Sequence, residues 1–265
     1  MTRLTAYLEG ISVIGPGIRD WPAAEACFTG RTVYTPGATE LPPPTVLPAA
    51  ERRRAGRIIK LAITLGLEAA SRAGVEPRSL VTVFSSSGGD GDNCNEICQT
   101  LASADRQLSP TRFHHSVQNV PAGYWSIATG AMAASTTLCA YDASFAAGLL
   151  ESLAQVAIHA QPVLLIAYDA NYPAPLHEKR PIPDAFGTAW VLAASPGPRS
   201  MARMSAILSD GDVERLDDPR LEALRSAVPA GRGLPILARL ARRQWGPVHI
   251  EYLGSATLCV EVGPC

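Results

Sequence analysis

The sequence predicts an α/β fold in which helices surround a mixed, mostly parallel sheet. Short apolar runs of strand character alternate with longer amphipathic helical runs along the 265 residues. The run Val163 to Ala167 is continuously apolar, as is typical of strands that are buried on both faces of a parallel sheet. A hydrophobic share of 47% and a charged share of 18% allow a chain of this length to bury a large core.

The individual elements follow from local patterns. A first strand at residues 8–14 ends at Gly15-Pro16-Gly17, and five prolines between Pro36 and Pro48 exclude regular structure there. Glu51 to Ala73 has a broad apolar face and predicts a single helix that Gly74 ends. Further strands are predicted at residues 80–84, 136–139, 163–167, 189–194, 201–208 and 256–262, and further helices at residues 93–104, 220–227 and 235–243, with one more after Asp142.

Charge and composition exclude several classes of function. The formal net charge is −1, so no global field favours a nucleic acid or an anionic membrane. Glu9 and Gly10 interrupt the N-terminal apolar residues, which argues against a signal peptide, and no run is long enough to span a bilayer. We therefore expect a cytoplasmic protein.

Other candidate sites have ordinary explanations. Cys94 and Cys98 are four residues apart, but no second ligand pair accompanies them, which favours buried thiols over a metal site. His114 and His115 would point to opposite faces of a strand and could not share a ligand, which favours a surface or hydrogen-bonded pair. The small-residue loop Ser85 to Asp92 lacks the lysine of a phosphate-binding loop. We expect no cofactor and no metal.

The predicted function depends on the residue at the start of the helix that follows residue 142. The strand-like run Thr136 to Cys139 breaks at Asp142, where an Ala- and Leu-rich helical run begins. Many α/β proteins hold a nucleophile at such a strand-to-helix turn, near the positive end of the helix dipole. Here the side chain is a carboxylate, which we expect to cap the helix by accepting backbone N–H bonds.

Several motifs resemble those of β-ketoacyl synthases. Thr137-Leu-Cys-Ala-Tyr-Asp142 is similar to the strand and turn of that family, which end in Thr-Ala-Cys-Ser-Ser. Asn119 to Gly130, Pro162 to Asp169 and Arg180-Pro-Ile-Pro-Asp-Ala-Phe-Gly187 resemble other segments of the family in the same order. Ser109-Pro, Tyr124-Trp125 and Ser144 to Glu151 resemble more narrowly the chain-length factors of aryl polyene type clusters. The resemblance covers roughly residues 8–210 and implies a thiolase-like layered fold.

Two departures from the family pattern define the expected function. In the preferred alignment Asp142 occupies the position of the cysteine nucleophile, and a carboxylate cannot form a durable thioester. An alternative alignment, three residues displaced, would make Cys139 the nucleophile; in the preferred one it is a small buried residue. The synthases also carry a second lobe with two catalytic histidines, whereas His249 is the only histidine after residue 210. We expect residues 1–210 to form the synthase-like lobe and residues 211–265 a vestigial C-terminal segment on the same core.

The resemblance implies a non-catalytic, chain-length-factor-like subunit. It would pair with an active β-ketoacyl synthase through residues 135–141, meet acyl carrier protein within that complex, and shape the acyl tunnel in fatty-acid-like or polyene biosynthesis. The tunnel and interface candidates are Phe113, His114, Tyr124, Trp125, Thr137, Tyr141, Ser144 and Phe145.

Three alternatives remain open at this stage. The chain could be a stand-alone homodimeric acyl-binding protein. It could also be a serine acyltransferase or hydrolase that uses Ser144 or a serine among Ser85 to Ser87. The basic run Arg52 to Arg54 with Arg57 is expected to be solvated or paired with acidic residues, and the alternative is a docking patch for an acidic carrier.

Overall fold

The computed structural model describes residues 3–265. The strands are β1 Leu4–Ile14, β2 Val81–Ser85, β3 Ser135–Leu138, β4 Val163–Asp169, β5 Phe186–Ala193, β6 Ala202–Ser209, β7 Gly246–Glu251 and β8 Thr257–Gly263. The α-helices are α1 Trp21–Phe28, α2 Ala49–Arg54, α3 Arg57–Ala73, α4 Gly91–Ala102, α5 Pro110–His114, α6 Val120–Thr129, α7 Ser144–His159, α8 Leu176–Lys179, α9 Pro219–Ala227 and α10 Leu234–Arg242.

The described strands form one mixed sheet in the order β3-β2-β4-β5-β1-β6-β8-β7. The predicted α/β fold class is therefore confirmed, but the balance within the sheet differs from the prediction. The strands β3, β2 and β4 pair in parallel, whereas all pairings from β4 to β7 are antiparallel. The continuous apolar run in β4 correctly predicted that this strand is buried on both faces. Burial does not determine whether a neighbouring strand runs parallel or antiparallel, so the sheet is less parallel than predicted.

Helices cover both faces of the sheet, and each face has its own core. On one face α7, α10 and α1 pack against side chains such as Leu165, Trp190 and Val260. On the other face α3 and α6 pack against Leu164, Ile166 and Val191. The alternating side chains of β4 thus enter opposite cores, which explains why its residues 163–167 are all apolar.

The predicted helix from Glu51 to Ala73 is two helices in the structure. Helix α2 ends at Arg54, and α3 begins at Arg57 after the extended residues Ala55 and Gly56. The break places Arg52, Arg53 and Arg54 in the last turn of α2, where cations favour the helix dipole.

Acidic partners hold part of this basic run, as expected. Arg54 pairs with Glu51 at 2.9 Å, and Arg57 pairs with Asp184. The prolines between Pro36 and Pro48 keep that segment free of helix and strand, also as predicted.

The two edges of the sheet differ. The outer edge of β7 is partly covered, because the Glu214 N–H donates to the His249 carbonyl at 2.9 Å. At the opposite edge β3 pairs with β2 alone among the described strands. The alternation of a parallel ladder directs the backbone groups of Thr136 toward β2, and those of Ser135 and Thr137 away from the sheet.

The residues after 210 are integrated into the sheet. Strand β8 lies between β6 and β7, and α10 contributes Leu234, Ile236 and Leu237 to the core beside α7. Arg225 is buried and pairs with Glu222 and Glu251 at 2.8 and 2.7 Å. Within residues 3–265, no helix combines the length and the hydropathy that crossing a membrane requires.

Candidate functional site

The turn between β3 and α7 has the geometry of a strand-to-helix elbow. Strand β3 ends at Leu138, a 3-10 turn spans Tyr141–Ala143, and α7 begins at Ser144. Tyr141 has a φ of 52°, a left-handed conformation that costs energy in a residue other than glycine. The turn is therefore sharp, and Tyr141 is the residue at its apex.

Asp142 follows this apex and is held by an ion pair. Its Oδ1 accepts a hydrogen bond from Arg180 Nη2 at 2.6 Å, and the Arg180 guanidinium lies 3.9 Å from the centre of the Tyr141 ring. Arg180 is 16% exposed in its side chain and Asp142 is 47% exposed. The carboxylate of Asp142 is therefore bound to a cation at the turn.

The expected capping role of Asp142 is wrong. Within the described hydrogen bonds its carboxylate accepts from Arg180 and not from the backbone of α7. Ser144 closes the turn instead: its hydroxyl donates to the Tyr141 carbonyl at 2.7 Å and accepts from the Ala140 N–H at 3.0 Å. A serine can make both bonds from inside the first turn, which frees the aspartate to face Arg180.

The location expected for Cys139 is also wrong. It lies one residue past the end of β3, and its side chain is exposed rather than buried. Its thiol donates to the Ser87 carbonyl at 3.1 Å. Strand β3 is an edge strand, so its end is not enclosed by neighbouring strands as the end of a central strand would be.

A buried carboxylate lies at the end of the adjacent strand. Asp169 closes β4 and accepts hydrogen bonds from the N–H and hydroxyl of Ser87 at 2.8 and 2.7 Å and from the N–H of Ala230 at 2.8 Å. Burial raises the pKa of Asp169 to about 6, against the opposing effect of these donors and of Arg180. Asp169 thus joins the end of β2 to the C-terminal segment.

Aromatic packing fills the space beside this carboxylate. Tyr172 is buried against Gly88 and Gly91, where an added Cβ would lie 1.9 Å from the Tyr172 hydroxyl and 2.2 Å from its Cδ1. The two glycines therefore permit the tyrosine ring to lie directly on the backbone. The carboxyl ends of β2, β3 and β4 form a packed, hydrogen-bonded surface around Arg180.

The structure separates the predicted tunnel and interface residues into two groups. Phe113, His114 and Tyr141 are exposed, Phe113 by 67% and Tyr141 by 64%, and Thr137 lies on the free edge of β3. Four others are enclosed by this chain itself: Tyr124, Trp125, Ser144 and Phe145. Phe145 packs edge-to-face on Trp190 with ring centres 5.2 Å apart. The side chains of Phe113, His114 and Tyr141 are thus accessible at the surface.

The adjacent histidines form part of a hydrogen-bonded chain. They lie at the end of α5, not on a strand, and their different environments agree with the surface or hydrogen-bonded pair that we expected. His115 Nε2 is 3.0 Å from the Tyr124 hydroxyl, which donates to Glu51 at 3.1 Å. Desolvation and the neighbouring His114 lower the pKa of His115, while burial and the Glu51 contact raise the pKa of Tyr124 to about 12.

Cys94 and Cys98 are exposed on α4, and the prediction that they are buried is wrong. Helix α4 packs loosely on the domain, with only Gly91 and Asn93 buried, so its thiols remain at the surface. In the described part of the chain, His, Cys, Asp and Glu side chains nowhere assemble three or more potential ligands for a metal ion.

Two residues of this site were missed as candidates in the sequence. Arg180 was noted only within a family motif, although an arginine there could have been matched to the unpaired Asp142. Asp169 directly follows six apolar or aromatic residues of a buried strand, and a carboxylate in that position marks the strand's carboxyl end. Only the fold shows that Arg180 pairs with Asp142 and that its charge also acts on Asp169, to which Ser87 donates.

Comparison with known proteins identifies the family. The model of the β-ketoacyl synthase N-terminal domain matches residues 25–244, more than half of the sequence, and the chain therefore belongs to this family. No match was found among curated proteins.

Solved structures share the fold. A chain from the ketosynthase (ApeO) in complex with its chain length factor (ApeC) from Xenorhabdus doucetiae is 21% identical, with a TM-score of 0.74 and coverage of 97% of this chain and 99% of that chain. A chain of the ishigamide ketosynthase/chain length factor is 13% identical, with a TM-score of 0.73 and coverage of 98% and 99%. A chain of the AntDE:AntF complex of a type II acyl-carrier protein with its ketosynthase is 9% identical, with a TM-score of 0.76 and full coverage of both chains. The fold is thus the thiolase-like fold of ketosynthases and chain length factors.

Proposed function

We propose that this chain is a non-catalytic, chain-length-factor-like subunit. It pairs with an active β-ketoacyl synthase and helps to shape the tunnel that holds the growing acyl chain, as part of polyene-type or fatty-acid-like biosynthesis. The acyl carrier protein binds to the assembled pair of this chain and the synthase. Ketosynthase/chain length factor complexes among the solved structures with this fold support the proposal.

The Asp142–Arg180 ion pair is the observation that most supports a non-catalytic role. A condensing enzyme needs a nucleophile at this elbow that can take and release an acyl group. Here the residue after the apex is a carboxylate paired at 2.6 Å with an arginine, and the apex itself is a tyrosine. Neither side chain can replace a thiolate, and the Arg180 guanidinium engages both of them, the carboxylate by an ion pair and the ring by stacking.

The position of His249 also argues against condensation by this chain alone. His249 lies on β7, at the edge of the sheet opposite to β3. Seven strand spacings separate these edges, which corresponds to about 34 Å along the sheet. This imidazole therefore cannot assist decarboxylation at the β3–α7 turn. We propose that residues 211–265 complete the sheet in place of a catalytic lobe.

The free edge of β3 supports pairing with a partner. An unpaired strand edge exposes backbone donors and acceptors that another strand can satisfy. Tyr141 lies at the end of this edge, and Phe113 is another exposed aromatic side chain. We propose that these two side chains reach toward the partner's tunnel, since Tyr124, Trp125 and Phe145 are enclosed in this chain's own core.

The serine-enzyme alternative is not favoured by the hydrogen bonds. Ser144 is engaged with the Tyr141 carbonyl and the Ala140 N–H, and Ser85 donates to the Ser144 carbonyl at 2.5 Å. Ser86 and Ser87 are directed at Asp169. A serine nucleophile needs a general base on its hydroxyl, and these hydroxyls instead have structural partners.

Co-expression with candidate β-ketoacyl synthases from the same genome tests the proposal. We expect the two chains to co-purify in equal amounts and the product length to change when this chain carries Tyr141→Ala or Phe113→Ala. Incubation of this chain alone with acyl and malonyl carrier should give no covalent acyl adduct and no elongated product. Failure to co-purify, together with product lengths that do not depend on this chain, would contradict the proposal. A stand-alone acyl-binding homodimer would instead bind acyl carrier without any synthase.

A further inference from the structure

The outward face of α7 is unusually apolar for a helix at the surface. Residues on one side of this helix are buried in the core, as with Phe145, Leu149 and Val156. At 100° per residue, the opposite side presents Ala147, Leu150, Glu151, Ala154, Gln155 and Ile158, which are partly or fully exposed. A helix that is apolar on both sides is typical of one that is covered on both sides.

This face is continuous with the free edge of β3. A groove of about 430 Å³ lies between the start of that edge, at Ala133 and Ala134, and the α7 residues Glu151, Ala154 and Ile158. Ile158 is 74% exposed. A partner strand that extends the sheet at β3 must therefore bring neighbouring atoms over this face of α7.

Glu151 is the only charged side chain of the outward face among the described residues of α7. Gln155 Nε2 donates to Glu151 at 2.6 Å and to Thr136 Oγ1 at 3.0 Å, which ties the carboxylate to β3. Glu151 therefore lies on the side of the helix next to the free strand edge, and it is not paired with a cation among the described ion pairs.

The symmetry of strand pairing decides what Glu151 would meet. Two antiparallel strands in one sheet are related by a two-fold axis perpendicular to the sheet, so both α7 helices lie on the same face. Strands are about 4.8 Å apart, so β3 itself lies about 2.4 Å from such an axis. The Gln155 amide, bonded to both Thr136 and Glu151, holds the Glu151 carboxylate over β3 and therefore beside the axis when the axis passes near Thr136. In an isologous pair each residue near the axis meets its own copy, and Glu151 would face a second Glu151.

We propose that Glu151 selects the partner of this chain. It disfavours pairing of two copies and favours a β-ketoacyl synthase whose corresponding helix presents a lysine or arginine opposite it. This inference rests on the proposed function and adds the residue that discriminates between the two assemblies. Like charges brought together in an interface repel and weaken binding of the wrong partner. Opposite charges attract and favour binding of the right partner.

Two variants and a control test this role. In sedimentation velocity of the isolated chain, Glu151→Gln should tighten self-association at least 10-fold relative to the native chain. In pull-down and titration with the synthase, Glu151→Lys should weaken binding at least 30-fold, and replacement of the opposing basic residue of the synthase by glutamate should restore it. Glu76→Lys, at an exposed glutamate outside this face, makes the same change of charge and should alter neither result.

The outcomes separate this inference from the proposed function. If the native chain binds no synthase, the proposed function itself is wrong. If the native chain binds the synthase and Glu151→Lys binds equally well, only the selective role of Glu151 is wrong. If the native chain forms a dimer by itself as tight as that of Glu151→Gln, a second copy is the occupant of the groove, and the inference is overturned. Circular dichroism of each variant verifies that the fold is retained.

Discussion

At the scale of single residues, the side chains beside the apex of the β3–α7 turn determine what the turn can do chemically. A carboxylate next to the apex attracts Arg180, and the guanidinium then stacks on Tyr141. The turn retains the sharp geometry of a nucleophile elbow, with the left-handed Tyr141 at its apex. The side chains of the turn form an ion pair and a stacking contact, while its backbone keeps a left-handed apex.

We predict that a thiol at this position does not create a condensing enzyme. The variant Asp142→Cys, assayed alone with acyl and malonyl carrier, should give no elongated product by mass spectrometry. The reason is that His249, the only histidine after residue 210, lies at the far edge of the sheet and cannot assist decarboxylation at the turn. An elongated acyl chain from this variant alone would show that the remaining machinery is present.

The buried Asp169 predicts a specific dependence of stability on pH. Its folded pKa of about 6 lies above the ordinary value of 3.8, so the folded state binds more protons between these values. The contribution of Asp169 is fully present below pH 3.8 and is lost as the pH rises through 6. The loss amounts to about 3 kcal/mol in the free energy of unfolding.

The variant Asp169→Asn isolates this contribution. Urea unfolding of the native chain and of the variant should be compared at pH 4.5, 5.5 and 7. We expect the native chain to become less stable relative to the variant as the pH rises from 4.5 to 7. A difference that stays constant with pH would mean that Asp169 titrates at an ordinary value.

At the scale of elements, α7 lies unusually close to the sheet. A Cβ on Gly148 would lie 2.8 Å from the Ser85 Cβ and 2.9 Å from Leu165 Cδ1. We predict that Gly148→Ala lowers the free energy of unfolding by about 1–2 kcal/mol, because overpacking outweighs the gain in helix propensity. The matched control is Gly123→Ala in α6, where nothing lies within 4 Å and where we expect a gain of up to about 1 kcal/mol. Chemical denaturation measures both, and equal signs would contradict the packing argument.

The free edge of β3 predicts that one proline blocks assembly. The Thr137 N–H points away from β2, so Thr137→Pro removes a donor that a partner strand would use and leaves the bonds to β2 in place. We expect the variant to remain folded by circular dichroism and to lose co-purification with the synthase. Thr137→Val keeps the N–H and should co-purify like the native chain. Retained binding by the proline variant would place the partner elsewhere.

Periodicity predicted the longer elements and missed the short ones. The strands at β2, β3, β4, β5, β6 and β8 and the helices α4, α9 and α10 follow the predicted ranges within a few residues. Helices α1, α5 and α6 were not predicted as helices, because each is short and carries a proline in its first turn or aromatic residues that also suit strands. Strand β7 was missed because Gly246 and Pro247 open it and because its pairing with β8 is a tertiary contact.

At the scale of the whole molecule, the C-terminal segment and the synthase-like lobe share one sheet. Strand β8 lies inside that sheet, and Glu251 of β7 binds Arg225 and Arg232 at 2.7 Å each. We predict that a chain ending at residue 210 does not fold, because it exposes β6 as a new edge and removes α10 from the core. We also predict a single cooperative unfolding transition for the full chain.

The variant Glu251→Gln tests, within the intact chain, how strongly the C-terminal segment stabilises the rest of the fold. It leaves the buried Arg225 with one carboxylate partner in place of two. We expect the free energy of unfolding to fall by about 2 kcal/mol, less than for a fully buried pair because Glu251 is partly exposed. A folded, stable product of residues 3–210 would show that the two segments are independent.

The family, the α/β class and the carboxylate after the elbow's apex could all be read from the chain's own residues. Motif order and side-chain periodicity are local properties that do not depend on distant parts of the chain. The fold was needed to show that Arg180 engages Asp142, that Ser144 closes the turn, and that β3 is a free edge beside an apolar face of α7. These features depend on contacts between segments far apart in the chain, and the direction of strand pairing that creates them is not encoded in any single segment.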